Sequence, residues 1–150
     1  MAKRTNTRMG DIFCVEIDGE YKRYFQYVAR DSTQLGGQVI RFFAHHYSMD
    51  EEPTMDEIIA DEIDFFALTY INVGIWYEAW YKVGKHKDVG DAEHIYFRLG
   101  GEYWQINHEI VKVGSGINEF LHYPLGKVYS YVSILEKLKT GKYPGETKYY

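Results

Sequence analysis

Six histidines, one cysteine and 22 carboxylates are the side chains on which chemistry in this 150-residue chain would first draw. His45, His46, His86, His94, His108 and His122 form no HxxxH or HExxH pair, and no Cys/His spacing of a zinc site is present. His45 and His46 are adjacent on a β-prone run, so their side chains point to opposite faces and joint ligation is poor. The sequence therefore predicts no metal and no other cofactor. Cys14 would act as a nucleophile only if a histidine came near it in space. It lies mid-strand, away from any activating helix N-terminus, and reads as a small buried hydrophobe. Gly84, Gly90 and the run Gly114-Ser115-Gly116 fit neither GxGxxG nor GxxxxGK[ST], so turns account for them. No catalytic residue is assigned. Carboxylate pairs of the glycosidase kind leave no spacing signature, so a small hydrolase using carboxylates that cannot be singled out stays open. So does a small-ligand or RNA-binding module built on exposed aromatics.

One stretch does stand out. Between Asp50 and Asp64 lie eight acids (Asp50, Glu51, Glu52, Asp56, Glu57, Asp61, Glu62 and Asp64) and no Lys, Arg or His. Removing these eight charges from the net −5 leaves +3 for the rest of the chain. A solvated helix face explains them in part, since acids near a helix N-terminus are favoured by the macrodipole. The other reading is an electrostatic footprint that steers a basic protein partner. Asp56, Glu57 and Asp61 are the leading candidates for that contact.

The elements that must position these residues follow from the patterning. Phe13, Val15 and Ile17 alternate with Cys14, Glu16 and Asp18, as in a strand with one buried face, and Asp18-Gly19 suits a tight hairpin turn. A return strand runs about 20–30. A third strand at 38–47 is apolar on both faces, completing an antiparallel meander. Thr54-Met55-Asp56-Glu57 fits a capping box that opens a short acidic helix at about 55–63. Residues 65–71 and 75–83 read as strands, the second carrying Trp76, Tyr77 and Trp80. Residues 84–90 read as a polar loop. A second hairpin flanks Gly100-Gly101, and 115–124 is irregular. A C-terminal helix at about 126–139 carries the stripe Val128, Tyr131, Val132, Leu135 and Leu138, with Gly141 and Pro144 to end it. A helix with one apolar stripe must bury it, and a sheet face is the largest candidate. The expected fold is α+β: a strongly bent antiparallel sheet or partial barrel with one C-terminal helix and the short acidic helix. It forms a single domain over 1–150, with 1–9 and 142–150 as flexible ends.

Composition bounds the function further. Apolar residues make up 45% of the chain and aromatics 17%, which excludes a disordered chain. A net −5 disfavours binding to DNA or to an anionic membrane, both of which call for a basic face. No apolar run approaches the length of a membrane span and no signal segment opens the chain. The lone cysteine allows no intramolecular disulfide. Cytoplasmic is the plain reading.

Gly10-Asp11-Ile12-Phe13-Cys14-Val15, the Asp18-Gly19 hairpin, Tyr24-Phe25-Gln26-Tyr27-Val28 and Gln38-Val39-Ile40-Arg41-Phe42-Phe43 together resemble the immunity protein 26 family of bacterial polymorphic toxin systems. Gly74-Ile75-Trp76, Trp80 and Val83-Gly84 follow in an order similar to that family. The resemblance covers about residues 10–45. It implies an α+β immunity or inhibitor protein that neutralises a cognate toxin by direct binding, with no catalytic residues to carry over.

Overall fold

A seven-stranded sheet organises the chain, and its three central strands are buried on both faces. The computed structural model describes residues 6–31, 36–99, 102–105, 110–112 and 123–144. The turn expected at Gly100-Gly101, the irregular stretch from Ser115 to His122 and most of both chain ends lie outside these residues. Strand β1 (Asp11–Ile17) pairs antiparallel with β2 (Tyr21–Arg30), and β2 with β3 (Gln38–Phe43), as the meander requires. Asp18 (φ 53°) and Gly19 (φ 69°) take consecutive left-handed conformations at the first turn, the geometry that Asp-Gly accepts at small cost. A short β4 (Tyr47–Ser48) pairs with the start of β2, and β5 (Ile63–Thr69) lies beside β3.

The sheet is mixed, and it is not closed into a barrel. Its order is β10-β5-β3-β2-β1-β6, where β6 is Tyr81–Lys85 and β10 is Val128–Tyr129. β10 runs parallel to β5, with Val128 opposite Leu68 and Tyr129 opposite Thr69. The antiparallel sheet expected from sequence forms through β1, β2, β3, β5 and β6, and β10 adds one parallel pair at its edge. Some 60 residues separate the two strands, ample for the long connection that parallel pairing needs. Thr69 Oγ1 donates to the Tyr129 carbonyl at 2.7 Å and fixes the register. A separate three-stranded antiparallel sheet holds β7 (Tyr96–Leu99), β8 (Glu102–Gln105) and β9 (Ile110–Lys112).

Helix α1 spans Met55–Ile59, shorter than the 55–63 expected, because Ile63 already belongs to β5. A further helix, α2 (Ile71–Trp76), replaces the front of the strand expected over 75–83. Packing overrides the β-propensity of its aromatics. The Trp80 indole Nε1 donates to the Ile71 carbonyl at 3.0 Å, and its ring lies where a Cβ on Gly74 would be, only 2.1 Å from the ring carbons. The chain then turns through Glu78 in a left-handed conformation (φ 59°), so the strand begins only at Tyr81. Helix α3 spans Tyr131–Thr140, later than the 126–139 expected, since Val128 and Tyr129 are taken up by β10. Ser130 caps it, accepting from the Ser133 N–H at 3.3 Å, and Gly141 ends it at φ 84°. Its buried residues are Ile134 and Leu138; Leu135 is only half-buried against the core and Val132 faces solvent. The apolar stripe is thus rotated toward Ile134, which the spacing argument passed over.

Alternate residues of the central strands feed different cores. Phe13, Val15, Ile17, Phe25, Ile40 and Phe42 pack beneath α2, α3 and Trp80. Ile12, Cys14, Tyr24 and Phe43 face the other way, beneath α1. Farther along that same side, Val28, Val39 and Leu68 meet Ile95 and Phe97 of the second hairpin region. The single buried face expected for β1 is therefore doubled, which is why β3 is apolar on both sides.

Candidate functional site

Thr54 opens α1 as its side-chain pattern requires. Its hydroxyl accepts from the Glu57 N–H at 3.2 Å, while the Glu57 carboxylate accepts from the Thr54 N–H at 3.3 Å. Met55, Ile58 and Ile59 anchor the turn on the sheet, so Asp56 and Glu57 are held outward.

The three candidate residues differ in what else they do. Asp56 has 87% of its side chain exposed, and its Oδ1 receives His86 Nε2 at 2.7 Å. His86 Nδ1 in turn accepts from the Asp88 N–H at 3.0 Å, which leaves the ring proton on Nε2, aimed at Asp56. Glu57 is exposed but committed to the capping box. Asp61 is half-buried: Oδ2 accepts from the His45 N–H and Oδ1 from the Glu62 N–H, both at 2.7 Å. All three lie on or just after α1. Two of them also tie down backbone.

Other acids of the segment divide the same way. Asp64 pairs with the buried Arg23 at 2.9 Å, and Glu51 accepts from the Ser48 N–H at 3.2 Å while its carbonyl takes the Lys22 ammonium. Asp50, Glu52 and Glu62 are exposed and have no side-chain partner among the described residues. Sequence reasoning missed this split, although Glu57 of the capping box announced it. The collective field is felt at Tyr47, whose phenol is pushed above its ordinary value by burial first, then by Asp61, Glu57 and Glu51.

Across the Asp56–His86 contact the sign of the surface changes. Lys85, His86 and Lys87 line an open recess of about 520 Å³ with Met9 and Gly10. The loop that carries them is fastened from beneath. Gln26 donates to the carbonyls of Gly10 (3.2 Å) and His86 (3.0 Å), and Arg41 donates to Gln26 Oε1 (2.7 Å from Nη2) and to the Asp88 carbonyl (3.0 Å). Arg41 is 5% exposed, stacks over Phe43 at 5.0 Å and has its pKa drawn down by burial, which the nearby Asp88 opposes. Gly90 (φ 71°) passes so close that a Cβ there would fall 2.4 Å from Arg41 Nη1.

The other side chains with chemical potential are spread apart. Cys14 is buried, with its thiol pKa raised by burial against the opposing hydrogen bonds of Tyr81 and Tyr24. His45 and His46 have separate aromatic partners, His45 meeting Tyr47 edge-on and His46 stacking on Tyr21. Among the described residues no three His, Cys, Asp or Glu side chains converge as a metal centre would need, and no helix is long and apolar enough to cross a membrane.

No curated protein matches the chain, and no solved structure does. One family does: immunity protein 26 matches residues 8–100, well past the 10–45 stretch that carries the resemblance in sequence. That span runs from the entry to β1 through α1, α2 and β6 into β7, leaving β10 and α3 outside it. With 93 of 150 residues matched, the chain belongs to the immunity protein 26 family.

Proposed function

We propose that this immunity protein neutralises a cognate toxin by binding it directly, and that the acidic surface around α1 meets a basic face of that toxin. The observation that carries the reading is the concentration of eight carboxylates and no cation in residues 50–64. Asp56, Glu57 and Asp61 are the central contacts, with Asp50, Glu52 and Glu62 around them. The same reading has the protein act in the cytoplasm, and a lone, buried Cys14 is in keeping with that.

Exposed charges of this kind act mainly on the rate of association, and their effect fades as the Debye length shrinks from about 10 Å at 0.1 M salt to about 3 Å at 1 M. The test changes Asp56→Asn, Glu57→Gln and Asp61→Asn together, and measures association with the cognate toxin over a salt series. Gln at position 57 still suits a capping box and Asn at 61 keeps one acceptor oxygen, so the fold is expected to persist. The variant should associate more slowly than the parent at low salt and show a flatter salt dependence. An unchanged rate and salt slope would return the acidic segment to the role of a solvated helix face.

A further inference from the structure

At His86 the acidic surface gives way to a basic one. Asp56 Oδ1 accepts from His86 Nε2 at 2.7 Å, and beyond that contact the recess opens between Met9-Gly10 and Lys85-His86-Lys87. With Arg8, which leads into the first wall, these residues carry three permanent cations and no acid. Arg8, Lys85 and Lys87 are exposed, and none has an ion-pair partner among the described residues. A fourth cation, Arg41, is buried under the same loop with only an amide oxygen and a backbone carbonyl as acceptors. The acids of this corner are already engaged. Asp56 meets His86, Asp88 accepts from the Gly90 N–H at 2.9 Å, and the buried Asp11 pairs with Lys82 at 3.1 Å.

The walls are locked to each other. The His86 N–H donates to the Gly10 carbonyl at 2.9 Å, and the Gly10 N–H to the Tyr27 carbonyl at 2.7 Å. Gly10 (φ 101°) comes so close that a Cβ there would lie 2.8 Å from the His86 carbonyl oxygen. The backbone under Lys85 and Lys87 is thus set before any partner arrives, which lowers the ordering that binding requires. The recess of about 520 Å³ is large against the roughly 30 Å³ of a water molecule, so it admits a whole side chain. Its place next to α1 narrows the occupant. A stable interface covers about 800 Å² of each partner, some 20–30 residues, and α1 has five. A toxin seated on Asp56 and Glu57 therefore reaches past His86 and over the recess. Were that toxin basic throughout, its cations would be set against Arg8, Lys85 and Lys87, and like charges brought together oppose binding. A carboxylate at that point of the toxin turns the repulsion into attraction.

We propose that the recess between Met9-Gly10 and Lys85-His86-Lys87 receives an acidic side chain of the cognate toxin, an Asp or Glu beside the basic face that α1 meets. The proposal rests on the acidic reading of α1 and makes that contact two-signed. A two-signed contact fixes the toxin's orientation, and it rejects toxins that are basic over the whole face.

Reversing the recess charge tests it. Lys85→Glu with Lys87→Glu shifts the net charge by four units, from −5 to −9. Lys85→Arg with Lys87→Arg is the control, and the α1 triple variant is measured alongside. Association and dissociation rates with the cognate toxin are recorded at low salt, and far-ultraviolet circular dichroism, expected unchanged at these exposed positions, reports the fold. The outcome has a sign. A toxin basic over the whole face would bind the more acidic variant faster and more tightly. A toxin that places a carboxylate in the recess should bind it about tenfold or more weakly, chiefly through faster dissociation, and should bind the arginine variant as it binds the parent. Binding that is unaltered or tightened by the reversal would overturn the proposal, whatever the α1 variant does. Parental binding by the α1 triple variant would remove the acidic reading, and weakening by the lysine reversal in the same experiment would still assign the recess to an acidic group of the toxin.

Discussion

Cys14 shows how position decides what a reactive residue can do. Its thiol lies between the hydroxyls of Tyr24 and Tyr81, in the core beneath α1, and burial holds it protonated. The neighbours are affected in turn. Burial raises the Tyr24 phenol first and foremost, the hydrogen bond to Cys14 does most for Tyr81, and burial followed by the acidic segment raises Tyr47. A phenol whose folded pKa exceeds its unfolded value of 10 contributes stability below pH 10 that is lost as pH climbs through the folded value. Stability should therefore fall on the alkaline side above pH 10. An absorbance titration of the 15 tyrosines should show a group that ionises only as the chain unfolds; uniform reversible ionisation near 10 would contradict the packing of these three. The buried Arg41 is a different case. Its hydrogen-bond partners are an amide oxygen and a backbone carbonyl, so its charge is solvated by fixed dipoles, and the loop holding Lys85 to Lys87 is fixed with it.

At the scale of elements, α3 offers the sharpest test of the architecture. Ile134→Ala removes a fully buried side chain from the main core and should cost about 2–5 kcal/mol; Leu135→Ala, at a half-buried position, should cost clearly less. Denaturation midpoints of the two variants measure this, and the reverse order would mean that the helix sits rotated from the geometry described. Local chemistry was legible in the sequence. The β1–β2–β3 meander, the Asp18-Gly19 turn, the Thr54 capping box and the Gly141 helix end all follow from local chemistry, and all were readable. What was not readable depends on partners distant in sequence. Trp80 turned an apparent strand into α2 by packing on Gly74, and β10 drew Val128 out of the helix by pairing with Leu68. At the candidate site, the clustering of Asp56, Glu57 and Asp61 was visible, but not that His45 and His86 would engage two of them, since both lie outside the segment.

At the scale of the whole molecule, the central strands carry a core on each face, one beneath α1 and one beneath α2 and α3. The β5–β10 pairing has a separate consequence, for the order of assembly. β1, β2 and β3 meet through short connections, whereas joining Val128 to Leu68 closes a loop of about 60 residues whose entropic cost must be met before the contact forms. The β10–α3 segment should dock after the hairpins have condensed. Substitutions such as Ile134→Ala should then accelerate unfolding and leave the refolding rate nearly unchanged in stopped-flow experiments. A slowed refolding limb would place α3 in the nucleus. With late docking, the newly made chain presents its acidic turn, built on the early meander, before its C-terminal helix has closed the opposite face, so the last step of folding completes only the core beneath α3.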